Sequence, residues 1–230
     1  MMRSSWFLLT SLVALAAAAA PNTLQGNFEI QFDVTCEGTA VAEVVERLEI
    51  SGNSYQMTET SKGKGMYALL GSAKRTSRGN ITKEGTLQPL EFADERTGRD
   101  TARAWFDWKA RTITMQHSGH KGSEEMPPNS QDRLSFLLAV AMMPGRTKYM
   151  KLSIFDGKGQ SRHEYDVGGH ERVRTPAGEF DAIKITRRTE PGQKDTAHLW
   201  VAADFGLPVK LVHVERDGRS CEHVAKRISR

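Results

Sequence analysis

Apolar and polar residues alternate along much of the chain, beginning with the segment NFEIQFDVTCEG at 27–38. Every second position there is apolar, namely Phe28, Ile30, Phe32, Val34 and Cys36. A period of two is typical of a β-strand with one buried and one solvated face. The same alternation recurs in AVAEVVERLEI and in later short segments. These segments are separated by predicted turns such as SGNS and Asp156-Gly157.

These segments predict an all-β, mainly antiparallel fold with about twelve strands. Three arrangements remain open: a curved sheet, an open barrel and a sandwich. The chain contains no repeat and no low-complexity linker. We therefore expect a single antiparallel β domain over residues 20–230.

One segment breaks the alternation, QDRLSFLLAVAMMPG at 131–145. Its apolar residues recur at helical spacing on nearly all sides, which predicts a short buried helix at about 130–143. Asn129 or Ser130 would cap it, Asp132 would add negative charge to its first turn, and Pro144-Gly145 would end it. The helix could plug a concavity of the sheet or line an opening into it.

The first residues, MMRSSWFLLTSLVALAAAAA, combine a basic start, an apolar run and small residues. This order is typical of a secretory signal peptide, predicted at 1–19 with cleavage near Ala19. The apolar run is shorter than the roughly 20 residues of a spanning helix, so we expect no stable transmembrane anchor. The mature protein is predicted to be periplasmic.

Export changes the expectation for the two cysteines, Cys36 and Cys221, because a disulfide is chemically permitted outside the cytoplasm. They fall in the first and last predicted strands, and we expect them to pair. Two separate buried thiols are the alternative. The formal net charge of the full chain, +4, is only mildly basic and predicts no nucleic-acid partner.

Four segments in fixed order carry a family resemblance: TLQPLEF, QDRLSFLLAV, RTPAGEFDAIKITRR and LWVAADFGLPVKL. Between about Thr86 and Leu211 they resemble the bacterial exported family catalogued as domain of unknown function 3108. The resemblance implies a cell-envelope protein of a Gram-negative bacterium with antiparallel β architecture. It implies no reaction.

Catalytic and metal chemistry find little support in the sequence. His117, His120, Glu124 and Glu125 are suitable zinc ligands, but their segment is typical of a flexible solvated loop, so we predict no metal site. A Gly-x-Ser-x-Gly turn and the glycine-rich phosphate-binding motifs are absent from the sequence. We predict no cofactor and no enzymatic activity.

A ligand site is more plausible on the apolar helix and the neighbouring aromatic residues. The predicted groove residues are Leu134, Leu137, Leu138, Met142, Trp105 and Trp108. A basic rim is predicted from the segment KGKGMYALLGSAKR, comprising Lys62, Lys64, Lys74 and Arg75. The simpler alternatives are that the apolar residues form ordinary core and that the basic residues form a solvated face.

The leading hypothesis is a periplasmic binding or carrier protein that holds a lipid, an acylated segment or another amphiphile in an apolar concavity. An envelope interaction protein, which would bind another protein through an outer face, is the second hypothesis. A hydrolase of envelope polymers is the third. A carrier needs a lined cavity, whereas an interaction protein needs a filled core and an exposed apolar patch.

Overall fold

The structure is a computed structural model that describes residues 26–142, 147–189, 195–215 and 217–230. The predicted signal peptide, 1–19, and the predicted helix end at Pro144-Gly145 lie outside the described residues. No helix in the described ranges has the length and apolar character needed to cross a bilayer.

Fifteen strands of the described chain form one sheet. The first eight are β1 (Phe28–Cys36), β2 (Thr39–Ser51), β3 (Ser54–Gly63), β4 (Ser72–Ile81), β5 (Leu87–Arg96), β6 (Ala102–Asp107), β7 (Thr112–His117) and β8 (His120–Glu125). The others are β9 (Ser130–Asp132), β10 (Tyr149–Phe155), β11 (Gln160–Thr175), β12 (Gly178–Arg187), β13 (Thr196–Ala202), β14 (Pro208–Val214) and β15 (Ser220–Ser229). Two short helices accompany them, a 3-10 helix at Gly65–Leu70 and α1 at Ser135–Ala141.

Strand order confirms the predicted all-β, mainly antiparallel class. The order is β8-β7-β6-β5-β4-β3-β2-β1-β15-β14-β13-β12-β11-β10-β9, and only β9–β10 is a parallel pair. The edge strand β9 nevertheless reaches strands in the other half of the sheet: the Gln131 side-chain amide donates to the Leu87 carbonyl at 3.0 Å. An edge strand can do this only if the sheet folds back on itself. The arrangement is therefore one strongly curved, open sheet.

The first and last strands are joined covalently. Cys36 and Cys221 are directly opposite in the β1–β15 register, and they form a disulfide with a Cα–Cα distance of 4.1 Å. The bridge links positions separated by 185 residues. The predicted disulfide is thus present.

The core lies on the concave face of the sheet, where α1 is buried. The buried residues of α1 are Ser135, Leu137, Leu138, Val140 and Ala141. This confirms one short buried helix, but it begins later than the predicted residue 130, because Ser130–Asp132 pairs with β10 instead. Asp132, rather than Asn129 or Ser130, bonds the first helical turn, accepting from the backbone N–H groups of Leu134 and Ser135 at 2.8 and 2.7 Å.

The segment around His117 differs from the sequence prediction. It was expected to be a flexible loop, but β7 and β8 form a regular antiparallel hairpin in which His117 pairs with His120 at the turn. Every residue of β8 is exposed, so this strand, unlike β7 with its buried Ile113, lacks the apolar positions from which the sequence pattern identifies strands.

Candidate functional site

A cavity of about 680 Å³ lies between α1 and the concave face of the sheet. Its apolar wall comprises Phe136, Leu137, Ile154, Ile185, Leu199 and Leu211. Arg133 and Asp217, which also line it, are exposed, so the cavity opens to solvent on their side. Ligand pockets in proteins commonly have volumes between roughly 300 and 1,000 Å³.

The geometry of α1 leaves this space unfilled. Leu134 and Leu138 point into the main core and are each 1% exposed. Phe136 lies on another side of the helix, stacked against Tyr165 with 6.4 Å between ring centroids. Leu137 lines the cavity beside it. The helix therefore packs on one side and presents an apolar surface to the cavity on the other.

Charged side chains also line the cavity: the arginines Arg75, Arg133 and Arg187, and the acidic residues Glu59, Asp195, Glu215 and Asp217. Arg75 donates to Glu59 at 2.6 Å, and Arg187 donates to Asp195 at 2.9 Å. The Arg133 side chain forms no hydrogen bond or ion pair within the described part of the chain. Arg133 is accordingly the cation best placed to accept an anionic group from outside the protein.

Three inward-facing histidines also line the cavity: His163, His213 and His223. Burial lowers the pKa of His163 to about 4, and the charges of Arg187 and Arg133 add to the effect. Burial, together with the neighbouring His213, lowers the pKa of His223 to about 4. Both imidazoles are neutral near pH 7, and burial also lowers the pKa of His213, so the positive charge in the cavity comes from arginine.

Burial shifts the pKa of one carboxyl group, that of Glu46, upward rather than downward. Glu46 faces inward between the buried residues Val44 and Leu48, near Leu137 and Leu138. Burial raises its pKa to about 8, and the charge of Glu59 contributes to the shift. Glu46 is consequently protonated at neutral pH.

The predicted groove residues are only partly brought together. Of the helix residues, Leu137 lines the cavity, Leu134 and Leu138 are core, and Met142 packs partly buried against the core. The tryptophans lie elsewhere. Lys121 lies over the Trp105 ring, 5.3 Å from its centroid, and the Trp108 indole donates to the Pro89 carbonyl at 2.7 Å.

The predicted basic rim is divided between the two faces of the sheet. Arg75 follows the inward register of Ser77 and lines the cavity. Lys62 and Lys74 occupy the alternate positions of β3 and β4 and are exposed on the outer face. Lys64 forms ion pairs with Asp33 at 2.5 Å and Glu43 at 3.5 Å. Neighbouring positions of a strand point to opposite faces, so a cluster in sequence does not form a cluster in space.

One group of possible metal ligands converges among the described residues: His213, Glu215 and Cys221. Cys221 is bonded to Cys36, so it cannot supply a thiolate. The His117–His120 hairpin and the glutamates Glu124 and Glu125 lie at the exposed sheet edge.

Sequence reasoning did not identify Arg133, Arg187 or the three histidines as cavity residues. A signal was available for two of them: His213 shares its strand face with Leu211, and His223 shares its face with Cys221 and Ala225. Arg133 has no such signal, because it lies in the short connection between β9 and α1.

Fold and site together define a class of protein: an open, curved, mainly antiparallel sheet that holds one helix and a cavity lined by apolar and charged side chains. The chain belongs to the family described as "Protein of unknown function (DUF3108)", whose family model matches residues 28–219. This confirms the resemblance noted in the sequence. None of the curated proteins compared with the chain matches it.

Several solved structures are distantly similar. One, described as a lipoprotein of Parabacteroides distasonis, is 10% identical; the match covers 90% of this chain and 96% of that chain, with a TM-score of 0.32. An exported protein with a YmcC-like fold from Bacteroides fragilis is 13% identical, with coverages of 90% and 97% and a TM-score of 0.35. An outer-membrane lipoprotein-sorting domain from Vibrio parahaemolyticus is 9% identical, with coverages of 89% and 85% and a TM-score of 0.26. At these TM-scores the similarities carry no functional argument.

Proposed function

We propose that this protein is a non-enzymatic periplasmic carrier that holds a lipid or another anionic amphiphile in the cavity beside α1. The carrying observation is the composition of one cavity, which combines an apolar wall with Arg133, an arginine at its open side that has no ion pair among the described residues. An amphiphile has the same two parts, an apolar chain and a polar head.

The apolar wall would supply most of the affinity. Burial of apolar surface stabilises a complex by about 25 cal/mol per Å², and Phe136, Leu137 and Leu211 offer such surface without rearrangement of the core. The binding is noncovalent.

The polar side of the cavity would orient the ligand. Guanidinium groups form paired, charge-assisted hydrogen bonds with carboxylate and phosphate oxygens. Within the described ranges Arg133 has no such partner, whereas Arg75 and Arg187 already bond to Glu59 and Asp195. We therefore expect a ligand with a carboxylate or phosphate head at the cavity mouth and its apolar chain along α1.

The test is native mass spectrometry of mature protein purified from the periplasm without detergent, followed by extraction and identification of the bound material. Leu211→Trp would fill part of the cavity from β14. Val212→Trp, on the opposite face of the same strand, is the matched control. We expect a stoichiometric adduct in the unmodified protein and the control, and its loss in Leu211→Trp.

A second pair of variants tests the head group. Arg133→Gln should weaken binding of the extracted amphiphile roughly tenfold or more, as expected for loss of a charge-assisted contact. Arg162→Gln, on the exposed face of β11, should leave it unchanged. A clean mass without adduct, which also persists after incubation with envelope lipids, would contradict the proposal.

A further inference from the structure

The exposed 3-10 helix between β3 and β4 is the most apolar surface feature of the described chain. Four of its six residues are large and apolar: Met66, Tyr67, Leu69 and Leu70. Met66, Leu69 and Leu70 are 86%, 92% and 77% exposed. We call this segment, Gly65–Leu70, the apolar tip. Such a concentration of exposed apolar side chains usually marks an interaction site.

The tip is held in place by specific contacts. A side chain at Gly63 would lie 2.0 Å from the Tyr67 carbonyl oxygen, and one at Gly71 would lie 2.6 Å from the Thr97 side chain. The Lys64 N–H donates to the Val41 carbonyl at 2.9 Å, and the Ser72 N–H donates to the Thr97 hydroxyl at 3.1 Å. Both ends are therefore fixed to neighbouring strands, and the apolar side chains project outward from a defined base.

Basic residues surround the base of the tip. Lys62, Lys74 and Arg99 are exposed and form no ion pair among the described residues. Glu95 lies opposite Lys74, and Asp100 follows Arg99, so they offset part of this charge.

Two further acidic groups, Asp33 and Glu43, lie next to Lys64. Lys64 and Lys226 neutralise both of them. Apolar side chains flanked by lysine and arginine are typical of segments that enter the interfacial layer of a membrane.

The tip also borders a surface recess. Tyr67 and Leu70 line a recess of about 420 Å³, together with Val41 and the disulfide cysteines. Glu215 lines both this recess and the cavity beside α1. A surface contacted by the tip would therefore be brought next to the region that leads towards the cavity.

We propose that the apolar tip docks the protein on an anionic lipid bilayer, with Met66, Leu69 and Leu70 entering the interfacial layer and Lys62 facing the head groups. A narrow convex tip can bury all of its sides in lipid, whereas a flat protein surface would cover only one. Docking would allow exchange of an amphiphile with the membrane, and this purpose rests on the proposed function. The docking itself is independent of the proposed function.

The experiment is flotation of the purified mature protein with vesicles of phosphatidylcholine, with and without about one third phosphatidylglycerol. Leu69→Glu should reduce binding to anionic vesicles by roughly tenfold or more, because one inserted leucine is lost and a charge is introduced. Leu90→Glu is the matched control, since Leu90 is also exposed but lies towards the other end of β5 from Thr97. Circular dichroism of each variant establishes that it remains folded.

The electrostatic part has its own variant. Lys62→Gln should weaken binding to anionic vesicles about fivefold and leave binding to neutral vesicles unchanged. Lys83→Gln, in the exposed turn between β4 and β5, is the control. Equal flotation of Leu69→Glu and the unmodified protein would overturn the docking proposal, as would the absence of flotation with anionic vesicles.

The two proposals fail separately. Flotation that depends on Leu69, combined with an empty cavity by mass spectrometry, would uphold the docking surface and reject the carrier function. A bound amphiphile without any flotation would do the reverse. If the protein binds a protein partner in a Leu69-dependent manner but does not bind vesicles, the lipid docking proposal is rejected.

Discussion

The two short helices have similar composition but opposite surroundings. α1, with the sequence SFLLAVA, has five buried residues, whereas the apolar tip, GMYALL, has none. A hydropathy pattern alone would assign both to the core. The two segments also differ in the polar contacts that anchor their ends.

The anchors point the two segments in opposite directions. Asp132 fixes the start of α1, and its carboxylate accepts a hydrogen bond from the buried Ser77 hydroxyl of β4 at 2.5 Å. Ser77 in turn contacts the Tyr55 hydroxyl at 3.2 Å. These bonds hold α1 against the concave face. The tip is tied through its backbone to Val41 and Thr97, which leaves its side chains facing outward.

The largest expected effect comes from the disulfide, which borders the recess behind the tip. Replacing both cysteines, Cys36→Ser with Cys221→Ser, should lower the free energy of unfolding by about 4 kcal/mol, because the unfolded chain loses a cross-link over a long loop. Thermal unfolding should shift down by roughly 10 °C. A shift of only 1 or 2 °C, about the size of a surface substitution, would show that the cross-link contributes little.

A matched pair of leucines tests the contrast between the helices directly. Leu138→Ala in α1 should destabilise the protein by about 3 kcal/mol, since it leaves a cavity in the packed core. Leu69→Ala in the tip should change the free energy of unfolding by less than about 0.5 kcal/mol. Urea unfolding measures both. Similar losses for the two variants would mean that the tip is packed in solution, contrary to its exposure here.

Removing the anchor of α1 should have a smaller effect. Asp132→Ala eliminates the acceptor for the Leu134 and Ser135 N–H groups and for Ser77, and should cost about 2 kcal/mol. Asp132→Asn keeps an acceptor oxygen and should cost less. If the alanine variant were as stable as the unmodified protein, the polar anchor would not hold the helix.

The stability of the unmodified protein should depend on pH in a way that the stability of Asp132→Asn does not. Burial raises the pKa of Asp132 to about 6, above its value in the unfolded chain. The stability that Asp132 contributes is therefore fully present only below its ordinary pKa of 3.8 and is lost as the pH rises through about 6. Asp132→Asn, which does not titrate, should lack this component in urea unfolding between pH 4 and 7.

A second pH effect concerns the cavity rather than either helix. His223 has a pKa lowered to about 4 by burial, so the folded protein binds fewer protons than the unfolded chain between about pH 6.5 and 4. The contribution of His223 to stability should decrease on acidification through this range by about 1 kcal/mol per pH unit, while His163 adds a similar contribution and Asp132 an opposite one. His223→Gln should remove only the His223 component, measured as the difference between the pH profiles of the variant and the unmodified protein. An unchanged slope would indicate that the His223 side chain is open to water.

Much of the fold could be predicted from the sequence. The alternation in β1 predicted a β fold. The disulfide was predicted because Cys36 lies on the inward face of β1 and Cys221 lies in the last strand. The start of α1 could not be predicted, because Ser130–Asp132 carries capping residues that instead form a short strand. Their role depends on β10, which follows α1 in the chain.

The site was less accessible to sequence reasoning. Trp105 and Lys62 were candidates because aromatic and basic residues often bind ligands, but the register of β6 and β3 places them away from the cavity. Which side of a strand faces inward follows from its buried neighbours. The cavity forms only at those inward positions that α1 leaves uncovered. The position of α1 depends on contacts between residues far apart in the sequence, which the local pattern does not reveal.

The strand order has a consequence for how the chain acquires its structure. Each pair of neighbours except β1–β15 joins strands that are consecutive in sequence. Hairpins can therefore form locally and early, whereas the β1–β15 seam must wait until both ends of the chain are available and bears the largest loop-closure entropy. We expect this seam to close last, with the Cys36–Cys221 bond formed after it. Until then β1 and β15 are two unprotected sheet edges, the stage at which the protein is most vulnerable to aggregation.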